Sequence, residues 1–160
     1  MLKWAAHFFG LRNLGYQFKI SKMKRNATAV WSGSLKEGEG KITTQSNVLS
    51  NTQYSFKTRF ENGNGTNPEE LIAAAHAGCF TMQLTAYINE AGFDVASIET
   101  KCDIDFQDGS VVGSHLSVLA RVDDVETDEF QALVKKAETN CPISRLLNTA
   151  ITSNATLVRS

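Results

Sequence analysis

The 160-residue sequence predicts an α+β fold. Its strand-like segments are grouped before and after one long helical segment, whereas a βαβ array would alternate strands with helices. That helical segment covers residues 66–92, and two shorter helices are predicted close to the C-terminus. The length favours one domain, which we expect over residues 23–160, because a chain of this size can bury a sufficient hydrophobic core.

The long helical segment has recognisable start and stop signals. Thr66 or Asn67 can cap the helix, Pro68 suits its first turn, and Gly92 suits its end. Apolar residues recur inside it at spacings of three and four, and several small residues would admit close neighbours. The segment therefore predicts a central helix. The recurring residues are Leu71, Ile72, Ala75, Cys79, Met82 and Ala86.

The strands before the helix are predicted from runs of Thr, Val and aromatic residues separated by turn residues. They cover residues 27–33, 40–48 and 53–60, and they favour an antiparallel meander. Two further strands, 98–107 and 115–122, flank the turn-prone Asp108-Gly109 and are expected to form a hairpin. A second helix is expected from Thr127 or Asp128 to about Thr139, a third opens at Cys141-Pro142, and residues 150–158 form a closing strand.

Charge and composition exclude several classes of partner. Sixteen Lys and Arg against seventeen Asp and Glu leave a formal charge of −1, which predicts neither nucleic-acid nor anionic-membrane binding. No uninterrupted apolar run reaches the roughly 18 residues of a membrane span. Three cysteines, an odd number, favour a reducing compartment and hence the cytosol. Residues 1–22 lack a secretory cleavage pattern and are interpreted as an N-terminal extension.

The cysteines and their neighbours are the candidate chemistry. Cys141 precedes Pro142 at a helix start, where free amide protons would favour a thiolate. Cys79 lies in the middle of the central helix, with His76 one turn earlier on the same face. His76 could act as a base or share a metal with Cys79, although no second pair of metal ligands is recognisable. Cys102 alternates with apolar residues on a strand and is expected to pack.

Four segments taken together show a resemblance. They are residues 58–61 (TRFE), 65–71 (GTNPEEL), 74–80 (AAHAGCF) and 140–144 (NCPIS). In this order they resemble the OsmC branch of the OsmC/Ohr family of thiol-dependent peroxidases, and the likeness runs from about residue 24 to residue 158. The resemblance implies an OsmC/Ohr-like fold, with antiparallel sheets wrapped around long central helices in an intertwined homodimer.

The resemblance also implies a function. It implies a cytoplasmic enzyme of oxidative and osmotic stress defence that reduces hydroperoxides, organic ones preferably. By motif, Cys79 matches the peroxidatic cysteine and Cys141 the resolving cysteine. Arg59 matches the arginine that activates the thiolate, and Glu69 the acid that holds this arginine. An external dithiol would restore both cysteines, and no metal, flavin or haem is implied.

Two questions stay open at this level. On one straight helix Glu69 and Cys79 would stand about 15 Å apart. Either Arg59 spans that distance, or the helix breaks, or the residues belong to different subunits. The function also has competitors, namely a non-catalytic redox sensor or small-molecule binding protein, and a thiol hydrolase that uses Cys79 and His76.

Overall fold

The computed structural model describes residues 22–158, and the predicted α+β class is confirmed. The predicted extension, apart from Lys22, lies outside the described residues. The first three strands are β1 (Ala27–Ser32), β2 (Glu39–Thr44) and β3 (Thr52–Tyr54), followed by helices α1 (Phe56–Phe60) and α2 (Pro68–Glu90). The remaining elements are β4 (Val95–Gln107), β5 (Ser110–Val122), α3 (Thr127–Asn140), α4 (Pro142–Leu146) and β6 (Ala150–Val158).

Strands β1, β2 and β3 form one antiparallel sheet, which we call the N-terminal sheet. The predicted meander is therefore confirmed. Its second strand is shorter than expected and ends at Thr44, where a turn with Asn47 in the left-handed region (φ 59°) begins. Trp31 and Tyr54 pack against each other across this sheet, with ring centroids 5.5 Å apart and ring planes tilted by 54°.

The predicted strand 53–60 is wrong in its second half. Strand β3 ends at Tyr54, and Ser55 caps the short helix α1, because its side chain accepts a hydrogen bond from the Thr58 backbone N–H. The Thr58 hydroxyl in turn accepts one from the Ser55 N–H at 2.8 Å. This reciprocal pair is a capping box built with Thr in place of the commoner Glu or Gln. Arg59 consequently lies on a helix and not at the end of a strand.

Helix α2 follows the predicted signals. The Asn67 side chain accepts a hydrogen bond from the Glu70 backbone N–H at 2.8 Å, and Pro68 occupies the first turn. Gly92 follows the helix with φ 92°, a conformation in which the absence of a Cβ removes the steric penalty. The helix is one unbroken element of 23 residues, so Glu69 and Cys79 share a single axis.

Strands β4, β5 and β6 form the second sheet, and its topology corrects one expectation. The β4–β5 hairpin is antiparallel as predicted, with Asp108 and Gly109 at positive φ in its turn. Strand β6, in contrast, pairs with β5 in parallel, so this sheet is mixed rather than antiparallel. The reason is the connection: α3 and α4 lie between β5 and β6, and a crossover of this kind returns the chain in the same direction.

The hydrophobic core lies between α2, α3 and the second sheet. Phe80, Leu84, Ile88 and Phe130 are completely buried in it, and Leu116 is 1% exposed. Helix α2 is long and apolar enough to cross a membrane by length and composition, although its apolar residues do not form one uninterrupted run. Its buried face packs against β4, α3 and α4, which is the arrangement of a core helix.

Candidate active site

Cys79 and Cys141 meet where α2 and α4 pack together. Cys79 is partly buried on α2, and Cys141, at the start of α4, is completely buried. The Cys141 thiol is near enough to Cys79 to raise its pKa, and both thiols are free. Two neighbouring thiols can close to a disulfide once their sulfur atoms approach to about 2.05 Å, the length of an S–S bond.

The start of α4 acts on Cys79 rather than on Cys141. The sequence predicted that its amide protons would stabilise a Cys141 thiolate, but the Ile143 backbone N–H lowers the pKa of Cys79 instead. Burial raises the Cys79 pKa more strongly, and the neighbouring Cys141 thiol raises it further. In one isolated chain the net result is a raised pKa, which opposes formation of the thiolate.

Arg59 and Glu69 form a two-pronged ion pair. Arg59 Nη2 donates to Glu69 Oε1 at 2.6 Å, and Nε lies 3.1 Å from both carboxylate oxygens. The Glu69 side chain is 16% exposed and that of Arg59 35% exposed, so the pair is only partly screened by water. This geometry uses one edge of the guanidinium and fixes its plane.

Aromatic rings surround the same guanidinium. Its carbon lies 4.8 Å from the centre of the Phe106 ring and 5.2 Å from that of Phe60, both within the range of a cation–π contact. A cavity of about 240 Å³ opens beside it. Apart from Arg59 and Ser55 its walls are apolar or aromatic, and they comprise Trp31, Leu35, Tyr54, Phe56, Phe60 and Pro68.

The arginine pair and the cysteine pair do not meet within one chain. Glu69 and Cys79 are ten residues apart on the unbroken helix α2, which corresponds to about 15 Å along its axis. Because the Arg59 guanidinium is bound at the Glu69 end, it cannot also touch Cys79 of its own chain. The sequence left three arrangements open. The structure excludes a broken helix and an Arg59 that reaches from Glu69 to Cys79, so the remaining arrangement has the two residues act from different subunits.

His76 takes part in a buried polar cluster instead of pairing with Cys79. It is completely buried, and its Nδ1 lies 2.7 Å from Ser114 Oγ on β5. Its Nε2 lies 2.8 Å from Ser144 Oγ on α4. Burial lowers the pKa of His76, which favours the neutral imidazole. Because both ring nitrogens are hydrogen-bonded to serines, the structure does not support the expectation that His76 acts as a base for Cys79.

Cys102 extends this cluster on β4. Its sulfur lies 3.3 Å from Ser114 Oγ and 3.9 Å from His76 Nδ1, and it packs against the hydrophobic core. Burial raises the pKa of Cys102, with a smaller opposing effect from the Ser114 hydrogen bond. Cys102 thus packs against the core, as its strand position predicted. Within residues 22–158, no group of three His, Cys, Asp or Glu side chains could hold a metal ion.

Sequence reasoning missed the residues that connect these groups. Ser114, Ser144, Phe106 and the Ile143 amide were not singled out. One signal was available: Ser144 follows Cys141 by three residues, as His76 precedes Cys79 by three. The contact of Phe106 with Arg59 had no signal, because it joins segments far apart in the chain.

Comparisons with known proteins agree with this architecture. Residues 61–156 match the family model described as OsmC-like protein. Over 132 residues the chain is 39% identical to peroxiredoxin OsmC of Escherichia coli (strain K12), covering 80% of this chain and 92% of that protein.

Solved structures show the same fold. An OsmC-like protein of unknown function from Vibrio cholerae superposes with a TM-score of 0.67 at 14% identity, over 84% of this chain and 100% of the other. The organic hydroperoxide resistance protein OhrB of Bacillus subtilis superposes with a TM-score of 0.56 at 25% identity, over 83% of this chain and 98% of that one. The long helix and the two sheets thus occur in these relatives as a unit.

Proposed function

The chain belongs to the OsmC-like protein family, and from this premise we propose that it is a thiol-dependent peroxidase that reduces hydroperoxides, organic ones preferably. The observation that carries the proposal is the contact between the Cys79 and Cys141 thiols at the α2–α4 junction. The names of the relatives, a peroxiredoxin and an organic hydroperoxide resistance protein, support the same reaction class.

The proposed reaction proceeds in three balanced steps. The Cys79 thiolate attacks one peroxide oxygen, the O–O bond breaks, and the alkoxide leaves and takes a proton to become an alcohol. Cys79 is then a sulfenic acid. The Cys141 thiol condenses with it, forming a disulfide and releasing water. An external dithiol reduces that disulfide by thiol–disulfide exchange and is itself oxidised to a disulfide.

We place the complete site across a homodimer. The exposed face of α2 carries small residues and Met82, which is 76% exposed, and a side chain added at Gly78 would meet open space. Two such helices can therefore approach closely around a two-fold axis. If they run antiparallel and cross near Ala74, five residues from both Glu69 and Cys79, each Cys79 stands level with the partner's Glu69.

This arrangement supplies the missing cation. A guanidinium beside the Cys79 sulfur lowers the thiol pKa by charge, offsetting the effect of burial. Because Glu69 uses only the Nε and Nη2 edge of Arg59, the Nη1 edge is left for the peroxide oxygens. The apolar cavity beside Arg59 would hold the hydrocarbon part of the substrate, and each buried methylene contributes about 0.8 kcal/mol.

We also propose a cytoplasmic location and a role in oxidative and osmotic stress defence. The odd number of cysteines, three, supports a reducing compartment, because a secreted disulfide framework would pair them in even number. The reductant is a small or protein dithiol. The chemistry described above uses sulfur alone and requires no metal, flavin or haem.

Single-cysteine variants test the proposal. Cys79→Ser should abolish turnover of cumene hydroperoxide with dithiothreitol. In a single-turnover assay without dithiothreitol, Cys141→Ser should reduce one equivalent and retain a sulfenic acid that dimedone traps. Cys102→Ser is the matched control and should keep turnover. A full single-turnover amplitude in Cys79→Ser would refute the assignment. A disulfide that forms without sustained turnover would instead identify a redox sensor.

A further inference from the structure

The buried pair His76–Ser144 connects the two elements that carry the reactive cysteines. His76 lies one turn before Cys79 on α2, and Ser144 lies one turn after Cys141 on α4. The imidazole Nε2 and the serine Oγ are 2.8 Å apart. His76 is completely buried and Ser144 is 8% exposed, so water cannot easily replace the bond.

Helix α4 depends on such anchors. It has five residues, which is too short for a helix that is stable by itself. Pro142 and Arg145 are exposed, and Leu146 is 74% exposed, so much of the helix surface faces outward. Ser144 is the one buried residue of these five, and its described side-chain bond is the one to His76. That bond therefore adds an anchor on α2 to the connection of α4 with α3.

We propose that His76 is a positioning residue for the peroxidase reaction, a role that rests on the function proposed above. Through Ser144 it holds α4 against α2. The held helix then directs the Ile143 N–H and the Cys141 thiol at the Cys79 sulfur. Two steps depend on it: formation of the Cys79 thiolate, and condensation of the sulfenic acid with Cys141.

The neutral state of His76 suits this role. A neutral imidazole has one N–H donor and one acceptor nitrogen, so it can bind a serine hydroxyl on each side without a buried charge. The hydroxyls of Ser114 and Ser144 can each donate or accept, and the connection to α4 therefore exists in either tautomer. The competing role is a relay that runs through Ser114 to the thiol of Cys102.

The test uses Ser144→Ala and readouts that need no peroxide turnover. The first is the pH midpoint of Cys79 alkylation by iodoacetamide, followed by mass spectrometry of the Cys79 peptide. The second is the rate of Cys79–Cys141 disulfide formation with diamide. We expect a disulfide rate lower by about threefold to tenfold, as for the loss of one hydrogen bond, and a pH midpoint displaced from the wild-type value, because the Ile143 N–H and the Cys141 thiol both act on the Cys79 pKa.

Matched variants separate positioning from a structural effect. Ser114→Ala removes the other partner of His76 and leaves α4 bound, so both readouts should stay at the wild-type values. Ser144→Thr keeps the hydroxyl and should restore them. His76→Asn has an amide too short to reach Ser144 and breaks the same bond from α2. It should have the effect expected of Ser144→Ala, and it serves as the test if Ser144→Ala does not fold.

Two results would overturn the inference. One is a wild-type midpoint and disulfide rate in folded Ser144→Ala or His76→Asn. The other is an equal effect of Ser114→Ala and Ser144→Ala, which would indicate the relay. Failure of the peroxidase proposal is recognised separately, because it would appear as absent hydroperoxide turnover in the wild-type protein.

Discussion

The N-terminal sheet and the segment from α2 to β6, which we call the C-terminal half, bury their apolar side chains to very different extents. Every buried hydrophobic residue of the described core lies between Phe80 and Ala155, in the C-terminal half. In the N-terminal sheet and the loops beside it, Val30 is 58%, Leu35 71% and Val48 84% exposed. The C-terminal half thus has a core of its own, whereas the N-terminal sheet leaves these apolar side chains exposed.

The candidate site combines both regions. Arg59 follows the N-terminal sheet on α1, while Cys79 and Cys141 belong to the C-terminal half. Glu69, at the start of α2, binds the arginine but lies about 15 Å from Cys79 along the helix. The proposed homodimer explains this division of the site, because an interface on the exposed face of α2 would bring the arginine of one subunit to the cysteines of the other.

The largest expected effect concerns the core. Leu84→Ala, at a completely buried position, should lower the free energy of unfolding by about 2–5 kcal/mol, because it leaves a cavity. The same change at Leu35, which is 71% exposed, should lower it by less than about 1 kcal/mol. Urea unfolding measures both. An equal loss at Leu35 would break the comparison by showing that the assembly buries this side chain completely.

The next effect concerns the exposed face of α2. Met82→Glu should raise the dimer dissociation constant roughly a hundredfold, because the interface would bury an unpaired charge. It should also reduce the preference for organic hydroperoxides over hydrogen peroxide. Sedimentation at several protein concentrations measures the first effect, and Met82→Leu is the control that keeps the apolar surface. A stable, fully active wild-type monomer at micromolar concentration would contradict the shared site.

Mixing two inactive variants tests directly which chain supplies the arginine. Arg59→Ala and Cys79→Ser should each lose most turnover. In a heterodimer of the two, one of the two shared sites has an intact Arg59 and an intact Cys79. Random reassociation should therefore restore about one quarter of wild-type activity. No recovery in a verified heterodimer would place both residues in the same chain's site.

Replacement of the arginine by lysine separates charge from geometry. Arg59→Lys keeps the positive charge, but an ammonium cannot present a planar fork to the carboxylate and the peroxide together. We expect a loss of rate of about tenfold or more with little change in unfolding, since removal of one oriented hydrogen-bond donor has an effect of this size. Near-normal turnover would transfer the role to another cation.

The sequence predicted those features that depend on local chemistry. The cap at Asn67, the stop at Gly92 and the Asp108-Gly109 hairpin turn are local signals, and each is found at its predicted place. Helix α1 was missed because its aromatic and β-branched residues resemble a strand, and only the Ser55–Thr58 capping box reveals it. The parallel placement of β6 was missed because direction within a sheet is set by the α3–α4 crossover.

The site could be predicted only in part. The resemblance named Cys79, Cys141, Arg59 and Glu69, and the predicted helix put Glu69 about 15 Å from Cys79, but the sequence could not show whether that helix is unbroken. The pairing of His76 with Ser144 spans 68 residues, so spacing alone could not find it. Contacts of that range arise from the packing of α2 on α4, a tertiary feature.

The smallest expected effect tests whether water reaches the buried His76 in the C-terminal half. Burial lowers the pKa of His76 from its usual value of 6.5, so below pH 6.5 the unfolded chain binds a proton that the native chain does not. The contribution of His76 to the free energy of unfolding is therefore complete above pH 6.5 and is lost as the pH falls towards the lowered native pKa. The free energy of unfolding then changes by at most about 1.4 kcal/mol per pH unit. Urea unfolding between pH 5 and 7 should show this slope in the wild type and a flatter one in His76→Gln. An unchanged slope in His76→Gln would mean that water reaches the imidazole and that the C-terminal half is more open than its burial indicates.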